Sequence, residues 1–385
     1  MAERKKLGVA DPEASTLTGV ASIDARILCL PKYDPLGASS RLRTYQYVDR
    51  LRGHGFSVDI HPLFDKNYLS RKYAGRAPWA EALHAYSRRI RQLLARREYD
   101  VVWVEKELLP WVPSFLERMF TPSRPKLVVD YDDAIFHNYD LHRSTLVRSV
   151  LRDKIDDVMR RADMVLAGNA YLAERAVAAG CARVEYLPTV IDLDRYPHIA
   201  PQPMAGGEGR PVVIGWIGSP ATAHYLSLLS GVAERLQARY PVRFVAIGAR
   251  PDQVEGSPFE ALPWTEASEV ELLNSIDIGV MPLVDGPWER GKCGYKLIQY
   301  MACSRPVVAS RVGVNDEIVD EGRNGYLAHA EEDWEHALSA LIENRGLRQS
   351  LGEHGRARVE QMYSLQAQAP RLCNMFASVI GRGNG

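Results

Sequence analysis

The sequence predicts an α/β protein made of two units, each a parallel β-sheet with helices on its faces. Short apolar runs alternate with segments of helical period from Arg26 onward, and a repeated strand, helix, strand order implies parallel pairing. The alternation breaks once, across residues 196–211, where Pro and Gly gather around Gly206, Gly207 and Gly209, and it restarts at Val212. At 385 residues, 46% hydrophobic and 25% charged, the chain is ordinary globular material long enough for two separate cores. The expected boundaries are a mobile tail over residues 1–22, a first unit over 23–198, a linker over 199–211, a second unit over 212–363 and a C-terminal helix over 364–385.

Lys plus Arg number 48 and Asp plus Glu number 48, so the total charge points to no nucleic-acid partner. The distribution is uneven: residues 22–198 carry 28 basic and 23 acidic side chains, residues 1–21 carry 3 of each, and the remainder carries 17 against 22. The two halves are thus charged for different tasks. The five cysteines are scattered without CxxC or Cys/His spacing, which suits a reducing, cytoplasmic compartment. Residues 1–22 lack the apolar core of a signal peptide, and no window is apolar enough to span a membrane.

In the first half, a strand over residues 26–30 leads to a helix capped by Ser39 or Ser40, with the apolar stripe Leu42, Tyr45, Val48 and Leu51, and then to a strand over 56–60. The loop between them, residues 34–43, lies at the ligand edge of such a sheet; it is either a plain turn and helix cap or an acceptor or phosphate contact through Arg41 or Arg43. Between Lys66 and Arg97 there are nine basic residues and one acidic, with aromatic and aliphatic side chains interleaved. That pattern fits a helix resting on an anionic membrane at the inner surface, or a core-facing helix with a solvated arginine face. Strands over 101–104 and 127–129 follow, with a helix over 108–120 between them. Asp130, Asp132 and Asp133 close the second strand, and Asp-x-Asp at a strand end is one way to hold a divalent cation. A long helix over 146–161, a strand over 164–167, a helix behind the cap Asn169 and a strand over 183–187 complete the half.

The second half opens with a strand over 212–217, the turn of Gly218 and Ser219, and a helix through Leu226 to Leu236. A strand over 243–248 and a helix over 266–274 follow, with Trp264 before the helix either stacking on a ligand base or serving as core. The stretch 281–310, MPLVDGPWERGKCGYKLIQYMACSRPVVAS, reads as strand, loop, helix, strand. Its loop leaves the carboxyl end of a strand, so Trp288, Glu289, Arg290, Lys292, Tyr295 and Lys296 are expected to face a ligand. Arg290, Lys292 and Lys296, set around Gly291 and Gly294 at a helix start, suit a phosphate.

The run YMACSRPVVAS, followed by Gly313, Glu317 and the pair Gly322 and Gly325, resembles the donor-site segment of glycosyltransferase family four, which has the GT-B architecture. Asp132, Asp133, Ala134, Ile135 and Phe136 resemble the DDAIF of one subgroup, as do the GWIGSP turn and the GKCGYKLIQYMAC stretch. The resemblance implies two Rossmann-like domains facing each other across a cleft, with the last helix crossing back to the first domain. It also implies a retaining, metal-independent transfer of a sugar from a nucleotide-diphosphate sugar to a glycan, lipid-linked or small-molecule hydroxyl, with no cofactor.

Under that reading Asp132 stands where many relatives have a histidine that touches the donor sugar, and it is expected to face the cleft, the alternative being a structural hydrogen-bond role. Lys292 and Lys296 carry the leaving diphosphate. Gly218, Ser219, His224, Trp264, Glu289, Cys293, Gly294, Tyr295 and Gln299 line the donor, Arg41 and Arg43 meet the acceptor, and no residue holds a metal. The chain departs from the family where Gly291 and Gln299 replace the two glutamates of E-x7-E, and where Ser219 and His224 replace an arginine and a lysine. Those losses leave two alternatives, a non-catalytic sugar-nucleotide-binding partner and a sugar-nucleotide epimerase.

Overall fold

A computed structural model of the chain describes residues 25–73, 79–95, 98–120, 124–198 and 210–381. The expected tail, most of the 199–211 linker and parts of 66–97 lie outside them. By its internal contacts the chain divides into two units, one of Met1–Thr189, Gly291–Cys293 and Gln368–Gly385, the other of Val190–Arg290 and Gly294–Ala367.

The first unit holds strands β1 (Ala25–Leu30), β2 (Phe56–Ile60), β3 (Val101–Glu105), β4 (Lys126–Tyr131), β5 (Met164–Ala167) and β6 (Val184–Tyr186) in the order β2-β1-β3-β4-β5-β6. Every pairing is parallel. All five residues of β3 are buried, as expected of a strand covered on both faces. One face packs Val102, Val104, Leu127, Val129 and Val165 under helices. On the other, Trp103 meets Tyr47 and Phe376 edge-on, and Phe376 also meets Phe56. Phe376 belongs to the last helix, Leu365–Gly381, whose residues from Gln368 onward complete this unit.

The second unit repeats the plan with β7 (Val212–Ile217), β8 (Val242–Ile247), β9 (Phe259–Leu262), β10 (Ile278–Met281), β11 (Val307–Ser310) and β12 (Gly325–Ala328), ordered β12-β11-β10-β7-β8-β9 and parallel throughout. Its two faces carry separate apolar cores, one around Ile298, Met301 and Val307, the other around Trp216, Leu229 and Val308. The fold is therefore the expected α/β architecture of two parallel six-stranded sheets.

Local differences have local causes. The helix expected over 108–120 shrinks to Ser114–Glu117 with a 3-10 turn Arg118–Phe120, because Trp111 takes a left-handed φ of 62° that no helix continues through. The helix expected over 146–161 divides into Thr145–Leu151 and Lys154–Arg161. Neither Ser39 nor Ser40 caps a helix; Gly37 is the N-cap of Ala38–Arg43, and both hydroxyls donate to carboxylates instead. A charged acceptor outcompetes a backbone cap.

Candidate functional site

Parallel pairing in the first unit sets Glu105 opposite Asp130 at the carboxyl ends of β3 and β4, the edge where open α/β sheets bind ligands. The turn after β4 adds Asp132 and Asp133, and the residue after β3 is Lys106, in a left-handed φ of 69°. Lys106 Nζ lies 2.8 Å from Asp132, 3.5 Å from Asp133 and 3.9 Å from Glu105, with the Lys106 side chain 8% exposed. Ser39 donates to Asp132 at 2.5 Å and Ser40 to Glu105 at 2.5 Å. Burial works against an ionised Asp132, but Lys106, Arg43 and these hydrogen bonds hold its carboxyl below the usual carboxylate range. Asp133 is pushed the other way, by burial and then by the charge of Asp132.

Two expectations are corrected here. Arg43 is fully buried: Nε and Nη2 both donate to Asp130, at 2.9 and 2.7 Å, and Nη1 donates to the Leu187 carbonyl at 2.8 Å, so its guanidinium is spent inside the fold rather than offered to an acceptor. Asp132 is expected to face a cleft, yet it is 9% exposed and engaged by Lys106 and Ser39. Arg41 is half-buried in the same helix.

Residues Gly291–Cys293 pack on this edge as part of the first unit. A Cβ at Gly291 would stand 2.3 Å from that of Ala134, so only glycine allows so close an approach. Cys293 Sγ donates to the Asp132 carbonyl at 2.8 Å, and Asn169 Nδ2 donates to the Lys292 carbonyl at 2.9 Å. Burial, then the charge of Asp132, push the Cys293 thiol far up, which makes it a neutral packing group and not a nucleophile. The half-buried Lys292 acts on Asp133 through its charge.

The second unit presents a different edge. Gly218 follows β7, and a Cβ there would meet the Trp216 ring at 2.4 Å and Lys296 Cε at 2.9 Å. The missing side chain lets Lys296 lie along Trp216, its Nζ 5.3 Å from the ring centroid. Gly294 starts the helix Tyr295–Ala302 at a left-handed φ of 64°, and Tyr295 and Lys296 occupy its first turn, both half-buried. A Cβ at Gly248 would stand 2.3 Å from the Gly218 carbonyl oxygen and 3.4 Å from Trp264 Cβ, so Gly218, Trp264 and Lys296 gather at one sheet edge.

Trp264 is 38% exposed, with its indole N–H donated to buried Glu269 at 2.9 Å. Glu269 also accepts from Tyr196, whose hydroxyl meets Gln299; Gln299 is 5% exposed and faces inward. Ser219 is exposed as the N-cap of the 3-10 helix Pro220–Leu229, and the ring of exposed His224 lies tilted against Tyr225, whose hydroxyl donates to Glu289.

Sequence reasoning missed Lys106, Glu105, Glu269 and Tyr225. For Lys106 a signal existed, since the buried run Val101–Glu105 ends in charge at the ligand edge. For Tyr225 there was none, because its partner Glu289 is 64 residues away, and for Glu269 the pairing with Tyr196 spans 73 residues, with only Trp264 nearby in sequence.

Residues 211–344 match the family described as Glycosyl transferases group 1. A 65-residue stretch is 45% identical to an uncharacterized glycosyltransferase of Methanocaldococcus jannaschii, covering 16% of this chain and 18% of that protein. A 194-residue stretch is 28% identical to a D-inositol 3-phosphate glycosyltransferase of Corynebacterium jeikeium, covering 50% of this chain and 39% of that protein. The chain thus spans well under half the length of these curated relatives. Sucrose-phosphate synthase from Thermosynechococcus elongatus superposes with a TM-score of 0.69 at 14% identity, over 93% of this chain and 100% of that one. Anabaena HepE, solved in complex with UDP, gives 0.65 at 16% identity, over 92% and 100%. The two-sheet fold is accordingly that of GT-B proteins, and residues 211–344 are similar to group 1 glycosyl transferases.

Proposed function

We propose that the chain is a glycosyltransferase that moves a sugar from a nucleotide-diphosphate sugar to an acceptor hydroxyl with retention of anomeric configuration and without a metal ion. The observation that carries the reading is Lys296 laid along Trp216 past Gly218, within the stretch that matches the group 1 family. A cation beside a glycine turn and a helix start is suited to the charge that develops on a departing diphosphate. The similarity to HepE, whose solved complexes include UDP and UDP-glucose, supports a nucleotide-sugar donor.

In this reading Lys296, with amides from Gly218 and Gly294, stabilises the leaving diphosphate, and Trp264, held by Glu269, offers its face to the base. Ser219, His224 and Tyr295 lie toward the phosphates and Glu289 toward the sugar. Gln299 acts indirectly, by packing under Tyr196 and the Trp264 support. The leaving phosphate takes the acceptor's proton, so binding and orientation lower much of the barrier.

The test is incubation with UDP-glucose, UDP-N-acetylglucosamine and GDP-mannose in excess chelator, with a lipid and glycan extract as acceptor source. Acceptor-stimulated release of nucleoside diphosphate and an α-linked product support the reading. Binding without release supports a non-catalytic partner instead, and epimerised donor supports an epimerase.

A second reading concerns location. The helix Trp79–Leu94 buries Ala85, Arg89 and Leu93 but leaves Trp79 81% and Leu83 73% exposed, and Lys66, Arg91 and Arg118 are exposed as well. We read this surface as a peripheral contact with an anionic inner-membrane leaflet. No described helix is long and apolar enough to cross a membrane. Leu83→Glu is expected to release the chain from vesicles containing phosphatidylglycerol in a flotation assay; undiminished flotation removes the reading.

A further inference from the structure

We infer that a second surface of the first unit, carried by residues 111–119 and 141–150, inserts into an anionic lipid interface as a preformed apolar platform. The choice of a lipid partner rests on the membrane reading given above for the helix Trp79–Leu94; the platform is a different set of side chains on different elements.

Six large apolar side chains on these two segments are left out of the core. Trp111, Phe115 and Met119 come from the turn and short helices after β3, and Leu141, Leu146 and Val150 from the turn after the helix His137–Asp140 and from the helix Thr145–Leu151. Each is more than half exposed. Leu146 and Val150 are one turn apart on a single helix face. The segments meet through Trp111, whose ring stands edge-on 5.1 Å from Tyr139 and 5.8 Å from His142, the neighbour of Leu141. Arg148 donates to the carbonyls of His142 and Arg143, at 2.5 and 3.1 Å, which ties the helix Thr145–Leu151 to the same turn. Apolar side chains exposed singly need no explanation, but six on two linked segments mark an interaction surface.

The backbone beneath is held by buried charge. Lys154, fully buried, reaches Glu107 at 2.7 Å, Glu117 at 3.1 Å and the Leu109 carbonyl at 2.5 Å. Tyr139 donates to Glu107 at 2.8 Å and accepts from the Trp111 amide at 3.1 Å. Tyr86 donates to the Pro110 carbonyl at 2.6 Å, and Ser114 to Asp157 at 2.7 Å. Trp111 is thereby kept at its left-handed φ of 62°, a conformation that persists in a bulky residue only where its surroundings impose it. Stapled from below, the apolar tips need little ordering when they meet a partner, a cost that a flexible loop carries at the moment of binding.

Charge selects the occupant. Among the exposed described residues between 111 and 153, the ionised side chains are Arg118, Arg124, Arg143, Arg152 and Asp153, four basic against one acidic, or +3. The acid is itself paired with Arg152 at 3.5 Å. A second copy of this chain meeting the same face across a two-fold axis would bring like charges together. Phosphates of an anionic leaflet attract them instead, while Trp, Phe, Leu and Met side chains suit the boundary between headgroups and acyl chains. The helix Trp79–Leu94 packs against the 3-10 turn Arg118–Phe120 and carries the same mixture in Trp79, Leu83 and Arg91, so the two surfaces adjoin.

Flotation of the full chain with vesicles of phosphatidylcholine, alone and with phosphatidylglycerol added, tests the platform. Phe115→Glu and Leu146→Glu, both at exposed positions, should each lower partitioning into phosphatidylglycerol vesicles about tenfold or more, the low end of what burying one such side chain gives, with the melting temperature unchanged. The unaltered chain should prefer the phosphatidylglycerol vesicles and lose that preference at high salt. Undiminished partitioning by both variants, or equal binding to both kinds of vesicle, overturns the platform. So does a dimer in sedimentation velocity that Phe115→Glu splits, which would make the face an interface between copies. Leu83→Glu separates this inference from the reading it rests on. Release by Leu83→Glu alone keeps the helix contact and removes the platform, whereas release by Phe115→Glu and Leu146→Glu alone keeps the platform and removes the helix contact. An unaltered chain that never floats removes both.

Discussion

The ligand edges of the two sheets are made of opposite materials. In the first unit the edge is crowded with buried charge: Arg43 on Asp130, Lys106 among Glu105, Asp132 and Asp133, and, deeper, Lys154 against Glu107 and Glu117 at 2.7 and 3.1 Å. In the second it is built from Gly218, Gly248 and Gly294, the rings of Trp216 and Trp264, and a single nearby ammonium, that of Lys296. One edge is prewired by ion pairs between buried groups, and the other has few charges, with the half-exposed Trp264 beside Gly218 and Lys296. The physical lesson is that charges already neutralised hold structure, while charges left over define what is bound.

The sharpest way to break this contrast is to remove a neutralised charge. Arg43→Met should destabilise the chain by about 3–5 kcal/mol in urea unfolding, because Asp130 is left buried without its partner. A loss below about 1 kcal/mol would mean the first edge is not prewired. A related effect appears with pH. Burial, only partly offset by Arg43, raises Asp130 from 3.8 to about 6, above its unfolded value. Its contribution is thus fully present below about 4 and lost as pH rises through 6. The stability difference between the unaltered chain and Asp130→Asn should decline by up to about 3 kcal/mol over that window and stay flat above it; a difference that grows with pH contradicts the assignment.

At the second edge the effects move from stability to turnover. Lys296→Ala should lower the rate at least about tenfold, roughly 1.4 kcal/mol of transition-state stabilisation, while costing under about 1 kcal/mol in unfolding. Equal rates in a folded variant would remove Lys296 from the mechanism. Smallest is Trp264→Ala, expected to weaken UDP-glucose binding by about 1 kcal/mol in calorimetry with little change in melting temperature; unaltered affinity would make this ring packing only.

Much of the fold was legible in the letters because parallel strands buried on both faces write themselves as apolar runs, as Val101–Val104 and Val212–Ile217 do. Helix integrity was less so: Trp111 turns left-handed and breaks an apparently continuous pattern, which periodicity does not register. At the site, Lys296 could be placed because it follows Gly294 in sequence at a helix start. Arg43 and Asp132 could not be judged, since being spent on Asp130 or Lys106 depends on pairings over 87 and 26 residues that the sequence does not announce. Gln299 is a similar case: its inward turn toward Tyr196 depends on a partner 103 residues away.

The last helix has a consequence for biosynthesis. Trp103 and Phe56 pack on Phe376, a residue of the first unit that follows Thr189 by 187 positions of chain. At ribosomal speeds of about 5–20 residues per second, the stretch from Thr189 to Phe376 alone takes roughly ten to forty seconds to emerge. During that interval the nascent first sheet carries an uncovered apolar seam, which a stalled ribosome would leave as an aggregation-prone fragment.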